Sequence, residues 1–356
     1  MTLNTVSESM HLNKLKSICA ILFILLFYSC SDEKKFYKTN CFYYWKSTFD
    51  IDIAESNRLE QLNVQKLYTK YFDIIWDNKS NEPEAISILN INKNLAEESE
   101  IVPVVYITNE TFIEMNINQI PQLATNINNK IKKIHNRMDK NSIPEIQIDC
   151  DWTLKTRDIY FYFLKKFNDC LDIHTILSAT IRLHQVKYSE RTGIPPVDRG
   201  SLMFYNMSNL KEYQTKNSIL NFEVGKKYLN KMSSYPLPLD IVLPVYSWGI
   251  LYQGDNFIGI INNITKNMVI QNSGFTHLHD NYYKAEREIY LNNVYIFKND
   301  IIRIDESDYQ ELKKSAQFLS KNLNTKTINV ILFSFESNRA KEWSPNEIET
   351  IYNCFN

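Results

Sequence analysis

Eight short apolar runs that alternate with helical stretches constrain the fold of this 356-residue chain more than any other sequence feature. Residues 118–138 and 155–171, which lie between runs, carry apolar side chains at spacings of three to four, as an amphipathic helix does. Alternating strands and helices predict parallel strands with helical crossovers, and eight such units predict a closed α/β barrel of the (β/α)8 TIM type. A doubly wound open sheet is the alternative with the same alternation. The predicted strands are 41–49, 66–73, 101–108, 145–152, 176–185, 201–207, 239–248 and 327–335.

The stretch between the seventh and eighth runs departs from this simple repeat. Residues 257–262 have the pattern of a short strand, and a β-hairpin is predicted over 293–303. We therefore expect a barrel domain at 41–356 that carries an insertion at about 249–303.

The N-terminal segment has the features of a lipoprotein signal peptide. A polar stretch with two lysines precedes an apolar run from Ile18 to Tyr28, and Cys30 follows this run closely. Because the run has 11 residues and a membrane span needs roughly 20, we predict a cleaved signal peptide at 1–29. The sequence LFYSC, which ends at Cys30, resembles a lipobox. This resemblance implies that Cys30 carries the lipid and that 30–40 is a linker.

The residues directly behind Cys30 bear on where the protein is displayed. Asp32 and Glu33 resemble the export signals of some surface lipoproteins, and a solvated acidic linker is the alternative. We expect an outer membrane lipoprotein that faces the periplasm or the cell surface, and whose contact with the membrane is its lipid anchor.

Charge and composition exclude several classes of function. The formal net charge is −1, which gives no electrostatic basis for binding nucleic acid. The chain has 7 glycines and no glycine-rich phosphate loop, so we predict no cofactor. Aromatic residues make up 13% of the chain, which is typical either of a sugar-binding surface or of an aromatic core.

The cysteine and histidine patterns predict no metal centre. The sequence contains no C-x-x-C spacing, and His277-Leu278-His279-Asp280 lacks a third ligand that the sequence can name, so a polar loop is favoured. In a barrel, Cys41 would begin the first strand and Cys354 would end the last helix. A disulfide between these two cysteines is therefore an open alternative.

The predicted fourth strand carries the most informative polar residues. Gln147, Asp149 and Asp151 alternate with apolar residues, so they share one face of the strand and point into the barrel near its mouth. Burial of two nearby carboxylates raises the pKa of one of them, and a carboxyl that stays protonated can act as a general acid. We therefore predict Asp149 and Asp151 as catalytic residues. The alternative is a carboxylate held in a salt bridge by an inward-facing arginine or lysine.

The predicted fifth strand places Arg182 and His184 on one face together with Thr180. A charged guanidinium inside a barrel needs a partner, and we expect Asp149 to be that partner. His184 could bind a substrate hydroxyl or transfer protons, and a hydrogen-bonded structural histidine is the alternative.

Aromatic and polar residues at the ends of other strands complete the predicted site. Active sites of (β/α)8 barrels lie at the carboxyl ends of the strands, where rings beside carboxylates would form a sugar-binding floor. Ordinary packing of the barrel is the alternative for the rings. A second carboxylate for catalysis could come from Glu336 or Asp73. The further predicted substrate-binding residues are Tyr205, Asn206, Tyr246, Trp248 and Glu336.

The segments IQIDCDW, ATIRLHQ, PPVDRGSLMFYNMS and DIVLPVYSW resemble a family of uncharacterised bacterial lipoproteins with predicted barrels. That family is distantly similar to glycoside hydrolase family 18, whose signature D-x-x-D-x-D-x-E lies on the fourth barrel strand. One alignment puts Asp151 at the place of the acidic glutamate, with Gln147 in place of an aspartate. The other alignment puts Thr153 at the glutamate place. Either alignment departs from the family pattern at the catalytic acid.

The resemblance and the candidate residues together lead to three hypotheses for function. The first is a glycoside hydrolase of the cell envelope in which Asp151 is the general acid and Asp149 orients or stabilises charge. The second is a non-catalytic glycan-binding lipoprotein, and the third is an envelope scaffold without a small ligand. The first two imply a carbohydrate partner.

Overall fold

The computed structural model describes residues 36–92, 99–138, 140 and 142–356. The predicted signal peptide, the predicted lipidation site Cys30 and the start of the predicted linker lie outside these residues. Within the described ranges, no helix is both long enough and apolar enough to cross a membrane.

Eight parallel strands form a closed barrel. Each strand pairs with its two neighbours, and β1 closes the barrel because it pairs with β8 on one side and with β2 on the other. The predicted (β/α)8 fold is thereby confirmed, and the open doubly wound sheet is excluded. The barrel strands are β1 Tyr37–Tyr44, β2 Val64–Asp77, β3 Glu100–Ile107, β4 Glu145–Asp149, β5 Ile176–Arg182, β6 Arg199–Met203, β7 Leu239–Pro244 and β8 Thr327–Phe333.

Helices cover the outside of the barrel and begin where the sequence supplies caps. The last helix starts after Ser344, which forms a capping box with Glu347 and precedes a proline in the first turn. The long helix Ile120–Asn136 buries isoleucine and leucine side chains on one face, as its periodicity predicts. The helices are Ile53–Gln61, Asn109–Glu114, Ile120–Asn136, Arg157–Asn168, Leu183–Lys187, Ser189–Thr192, Phe222–Lys226, Lys266–Ile270, Tyr309–Asn322, Asn338–Glu342 and Pro345–Asn353, with 3-10 turns at Ile117–Gln119 and Met232–Ser234.

The insertion between β7 and β8 is a separate antiparallel sheet with its own apolar core. The prediction of an insertion is confirmed, but the predicted hairpin over 293–303 is wrong. Val294–Ile296 pairs antiparallel with the strand before it in sequence, Ile289–Leu291. Ile301–Glu306 is instead the central strand of the five-stranded sheet. The strands of that sheet are, in spatial order, Asn256–Asn262, Ser247–Gln253, Ile301–Glu306, Tyr282–Ala285 and Phe275–His279. Short strands outside both sheets and at the edge of the barrel are Thr48–Phe49, Asn90–Ile91 and Glu82–Ile86.

Several barrel strands end earlier than the sequence pattern predicts. β4 ends at Asp149, so Asp151 lies on the loop that follows and not on the strand. β5 ends at Arg182, and His184 is the second residue of the short helix Leu183–Lys187. Trp248 is not the end of β7 but belongs to the first strand of the insertion sheet.

In the barrel interior, β4 places polar side chains in successive layers, where they form hydrogen bonds with side chains of other strands. Glu145 forms the lowest layer and accepts hydrogen bonds from Tyr68 and from Ser178. Gln147 forms the next layer and donates to the Ser201 hydroxyl at 2.9 Å. This alternation places Asp149 in the third layer, at the mouth of the barrel.

The two cysteines that could have closed the barrel covalently are not joined. Cys41 is buried and Cys354 is half-buried, and neither forms a disulfide with a cysteine of the described chain. Each thiol instead contacts a nearby backbone carbonyl, that of Thr39 or of Thr350. The last helix is held beside β1 by the hydroxyl of Tyr352, which donates to the Cys41 carbonyl at 2.8 Å.

Candidate functional site

A cavity of about 420 Å³ opens at the carboxyl ends of the barrel strands. The barrel forms its floor, and the insertion contributes one wall through Ser247, Trp248, Asn262 and Asn263. This is the end of a (β/α)8 barrel at which loops converge and ligands bind. The predicted site residues that line this cavity are Asp149, Arg182, Tyr205, Asn206, Tyr246, Trp248 and Glu336.

A second cavity of about 400 Å³ adjoins the first. The two cavities share Arg182, Tyr205 and Asn206 as a common wall, and the remaining predicted residues, Asp151 and His184, line the second cavity. The structure therefore brings all nine predicted site residues into one continuous region but divides the two aspartates between its compartments.

Asp149 ends β4 beneath the first cavity and is 5% exposed. Its Oδ1 atom accepts a hydrogen bond from the Thr180 hydroxyl at 2.6 Å. Burial raises the pKa of Asp149 to about 6, although the positive charge of Arg182 acts in the opposite direction. A carboxyl of this kind is partly protonated near pH 6, so it can deliver a proton to a ligand in the cavity.

Asp151 forms a two-point ion pair with Arg182. The guanidinium Nη2 donates to Oδ2 at 2.9 Å, and Nε donates to Oδ1. The prediction that Asp149 is the partner of Arg182 is therefore wrong, because the loop after β4 brings the Asp151 carboxylate to the Nε–Nη2 edge of the guanidinium. Burial acts to lower the pKa of Arg182, but the Asp151 pair outweighs burial and raises it. Both oxygens of Asp151 are engaged, which is the salt-bridged arrangement weighed as the alternative from sequence.

His184 is an exposed residue in the first turn of its helix. Partial desolvation of the imidazole lowers its pKa. The negative charge of Asp151 opposes this effect, and the positive charges of Arg182 and Arg191 add to it. Neutral imidazole in this position can accept or donate a hydrogen bond in the second cavity.

Five aromatic rings form a continuous chain along the first cavity. Trp45 contacts Phe333 edge to face with ring centroids 5.5 Å apart, and Phe333 stacks on Tyr205 at 5.7 Å. Tyr205 contacts Tyr246, and Tyr246 contacts Trp248 at 5.4 Å. The sequence reasoning missed Phe333, although its place at the end of the eighth apolar run was a usable signal. The reasoning also missed Asn262, which ends the predicted strand 257–262, and Asn263, which follows it.

Glu336 lies just beyond β8 with its carboxyl group at the cavity wall. Its Oε1 atom accepts a hydrogen bond from the backbone N–H of Trp45 at 3.2 Å. Burial raises the pKa of Glu336, and hydrogen bonds such as the one from Trp45 act against this increase. The Oε2 atom is buried and has no hydrogen-bond partner among the described residues. Asp73, the other carboxylate considered for catalysis, instead pairs with Lys70 at 3.0 Å.

The two histidines that the sequence placed in a polar loop lie outside both cavities. In the described part of the chain, no group of three or more His, Cys, Asp or Glu side chains is arranged to hold a metal ion. His277 and His279 lie on the exposed edge strand Phe275–His279 of the insertion, where they contact tyrosine rings.

Comparison with protein-family models and with curated protein sequences gives no match. Solved structures do match in fold. The spore cortex-lytic enzyme SleL of Bacillus cereus is 13% identical, with 90% of this chain and 75% of that chain covered and a TM-score of 0.51. A chitinase from Chromobacterium violaceum is 10% identical, with 88% and 98% covered and a TM-score of 0.53.

A third similar structure was determined with a bound oligosaccharide. A mutant class V chitinase from Nicotiana tobaccum in complex with NAG4 is 11% identical, with 89% of this chain and 98% of that chain covered and a TM-score of 0.51. At such low identity these likenesses establish the fold alone. The chain is therefore a (β/α)8 barrel that is similar in fold to chitinases and to a spore cortex-lytic enzyme.

Proposed function

We propose that this protein binds a glycan in the cavity at the carboxyl end of its barrel. The chain of five aromatic rings along the cavity carries this proposal. A sugar ring has apolar faces and a polar rim, so it suits a pocket that combines flat aromatic surfaces with a few fixed polar groups. Asn206 and Glu336, which both line the cavity, supply such polar groups.

The proposed ligand is an oligosaccharide that contains N-acetylhexosamine. The similar fold of a chitinase in complex with NAG4 supports this class of ligand. The acetamido N–H and the sugar hydroxyls could donate hydrogen bonds to Glu336, and the cavity of about 420 Å³ lies in the size range of ordinary small-molecule sites.

The test is the thermal stability of the folded domain with increasing concentrations of N-acetylglucosamine tetrasaccharide. A ligand at about 100 times its dissociation constant adds about 2.7 kcal/mol to the free energy of unfolding. We expect a clear rise in melting temperature for the natural protein and little rise for Trp248→Ala. Tyr290→Ala is the matched control, because Tyr290 is 68% exposed and lies outside the cavity. Absence of any shift with acetylated or plain oligosaccharides would exclude this binding function and favour the scaffold hypothesis.

Hydrolysis of the bound glycan is the second candidate function. Asp149, with its pKa raised to about 6, favours it because a protonated carboxyl beneath the cavity can transfer a proton to a glycosidic oxygen. In this scheme Asp149 is the general acid, Glu336 provides a second carboxyl at the cavity wall, and Asp151 orients Arg182. This assignment reverses the roles that the sequence suggested for the two aspartates.

Hydrolysis is tested by the appearance of reducing ends and shorter oligosaccharides over time. We expect Asp149→Asn to stop product formation while it retains binding. Asp151→Asn is the informative comparison, because it removes the charge of the predicted acid but leaves Asp149 in place. Loss of cleavage only in Asp151→Asn would return the acid role to Asp151. No product from the natural protein would leave binding as the function.

The proposed cellular setting is the outer membrane, with a lipid on Cys30 as the anchor. The apolar run that ends before the lipobox-like LFYSC sequence supports this setting. The full-length protein should incorporate a labelled fatty acid and partition with membranes, whereas Cys30→Ser should lose both the label and the membrane association. Equal labelling of both proteins would contradict an anchor at Cys30.

A further inference from the structure

A fully buried ion pair lies in the central strand of the insertion sheet. Arg303 and Asp305 alternate on one face of Ile301–Glu306, and both side chains are 0% exposed. The guanidinium donates to both carboxylate oxygens, from Nε to Oδ1 at 2.8 Å and from Nη2 to Oδ2 at 2.9 Å. Removing two charges from water is costly, so a buried ion pair adds little net stability to a fold. The other contacts of this pair therefore indicate what it does.

The pair holds the segment of chain that follows β6. Arg303 donates from Nη1 to the carbonyl of Glu212 at 2.8 Å and from Nη2 to the carbonyl of Leu210 at 3.1 Å. Asp305 accepts two hydrogen bonds from Ser218, from its backbone N–H at 2.9 Å and from its hydroxyl at 2.6 Å. The segment 210–218 is thus attached to the insertion at its start, through Leu210 and Glu212, and at its end, through Ser218.

Ser218 connects the ion pair to the wall of the first cavity. The indole N–H of Trp248 donates to the Ser218 hydroxyl oxygen at 3.1 Å. The donors and acceptors in these two hydrogen bonds are unambiguous. An indole N–H can only donate, and the Ser218 hydroxyl donates its own proton to the Asp305 carboxylate. Trp248 and Asp305 are also backbone neighbours across the two paired strands.

We propose that Arg303 and Asp305 position the Trp248 indole at the cavity through Ser218. The proposal rests on the proposed glycan-binding function and deepens it, because Trp248 would be a sugar platform held ready before the ligand arrives. A side chain that is already fixed loses less conformational entropy when it binds, so the relay increases affinity without contacting the ligand. Ser218, Arg303 and Asp305 are positioning residues.

The test compares Ser218→Ala with the natural protein in two assays. The first is acrylamide quenching of Trp248 emission, taken as the difference from Trp248→Phe because the chain has 5 tryptophans. The second is the affinity for N-acetylglucosamine tetrasaccharide measured by calorimetry. Loss of one neutral hydrogen bond predicts about a fivefold weaker affinity. We also expect quenching of Trp248 to increase. Ser218→Thr, which keeps a hydroxyl, should restore both values.

The affinity measurement is repeated in the Trp248→Phe background, where the ring lacks an N–H donor. Ser218→Ala should then cause no further loss, because its effect passes through the indole. An equal loss in both backgrounds, or unchanged quenching in Ser218→Ala, would overturn the proposed positioning. Increased quenching together with no glycan binding by the natural protein would reject the proposed function while the positioning of Trp248 stands.

Discussion

The buried carboxyl of Asp149 predicts a pH-dependent stability that a single substitution removes. In the unfolded chain an aspartate has a pKa of about 3.9, whereas burial raises the pKa of Asp149 in the folded protein to about 6. The folded state therefore binds this proton more tightly than the unfolded state does. Stability due to this group is greatest below about pH 4 and is lost as the pH rises through about 6.

The size of the effect follows from the difference between the two pKa values. At 1.36 kcal/mol per pKa unit, the ionised Asp149 costs the folded protein ~3 kcal/mol above about pH 7 relative to the protonated form. Asp149→Asn is neutral at every pH and retains an acceptor for the Thr180 hydroxyl. As the pH rises, the free energy of unfolding of Asp149→Asn should therefore increase relative to that of the natural protein by ~3 kcal/mol. Most of this increase should occur between about pH 4 and pH 7.

The assay is urea unfolding of both proteins at several pH values across this range. The pKa of Asp240 is also raised by burial, but Asp240 is present in both proteins, so its contribution cancels in the difference. Asp172→Asn is the control, because the Asp172 side chain is 73% exposed and its ion pair with Lys132 lies at the surface, so we expect this substitution to change the free energy of unfolding by less than ~1 kcal/mol. A difference between Asp149→Asn and the natural protein that does not change with pH would refute the reasoning.

Three further substitutions separate the stability of the barrel from its binding site. Arg199→Met leaves the buried Asp240 carboxylate without its two-point partner, so we expect a loss of about 3–5 kcal/mol in urea unfolding and unchanged glycan affinity of the folded protein. Gly200→Ala places a Cβ atom 2.7 Å from the Ile181 side chain, which should cost about 1–3 kcal/mol in the same assay. Trp248→Ala should weaken glycan binding about tenfold or more by calorimetry. Unchanged stability in the first two, or unchanged affinity in the third, would contradict these assignments.

Much of the candidate site was predictable because barrel strands place their ends in one plane. The alternation of Gln147 and Asp149 with apolar residues predicted that both point inward, and they do. The same rule failed for Asp151. β4 ends at Asp149, two residues before Asp151, and the turn that follows brings Asp151 to Arg182. A local pattern does not specify where a strand ends, since that depends on hydrogen bonds to neighbouring strands.

The sequence by itself predicted eight barrel strands that alternate largely with helices, and polar residues at the ends of those strands. The spacing of apolar residues depends only on residues close together in the sequence, so it can be recognised without the fold. Only the tertiary structure decided which charges pair and which rings meet. The contacts of Asp151 with Arg182, of Phe333 with Tyr205, and of Trp248 with Ser218 join residues 30 to 128 positions apart. Such partners are selected by barrel closure and by the registry of the insertion sheet, which no local pattern encodes.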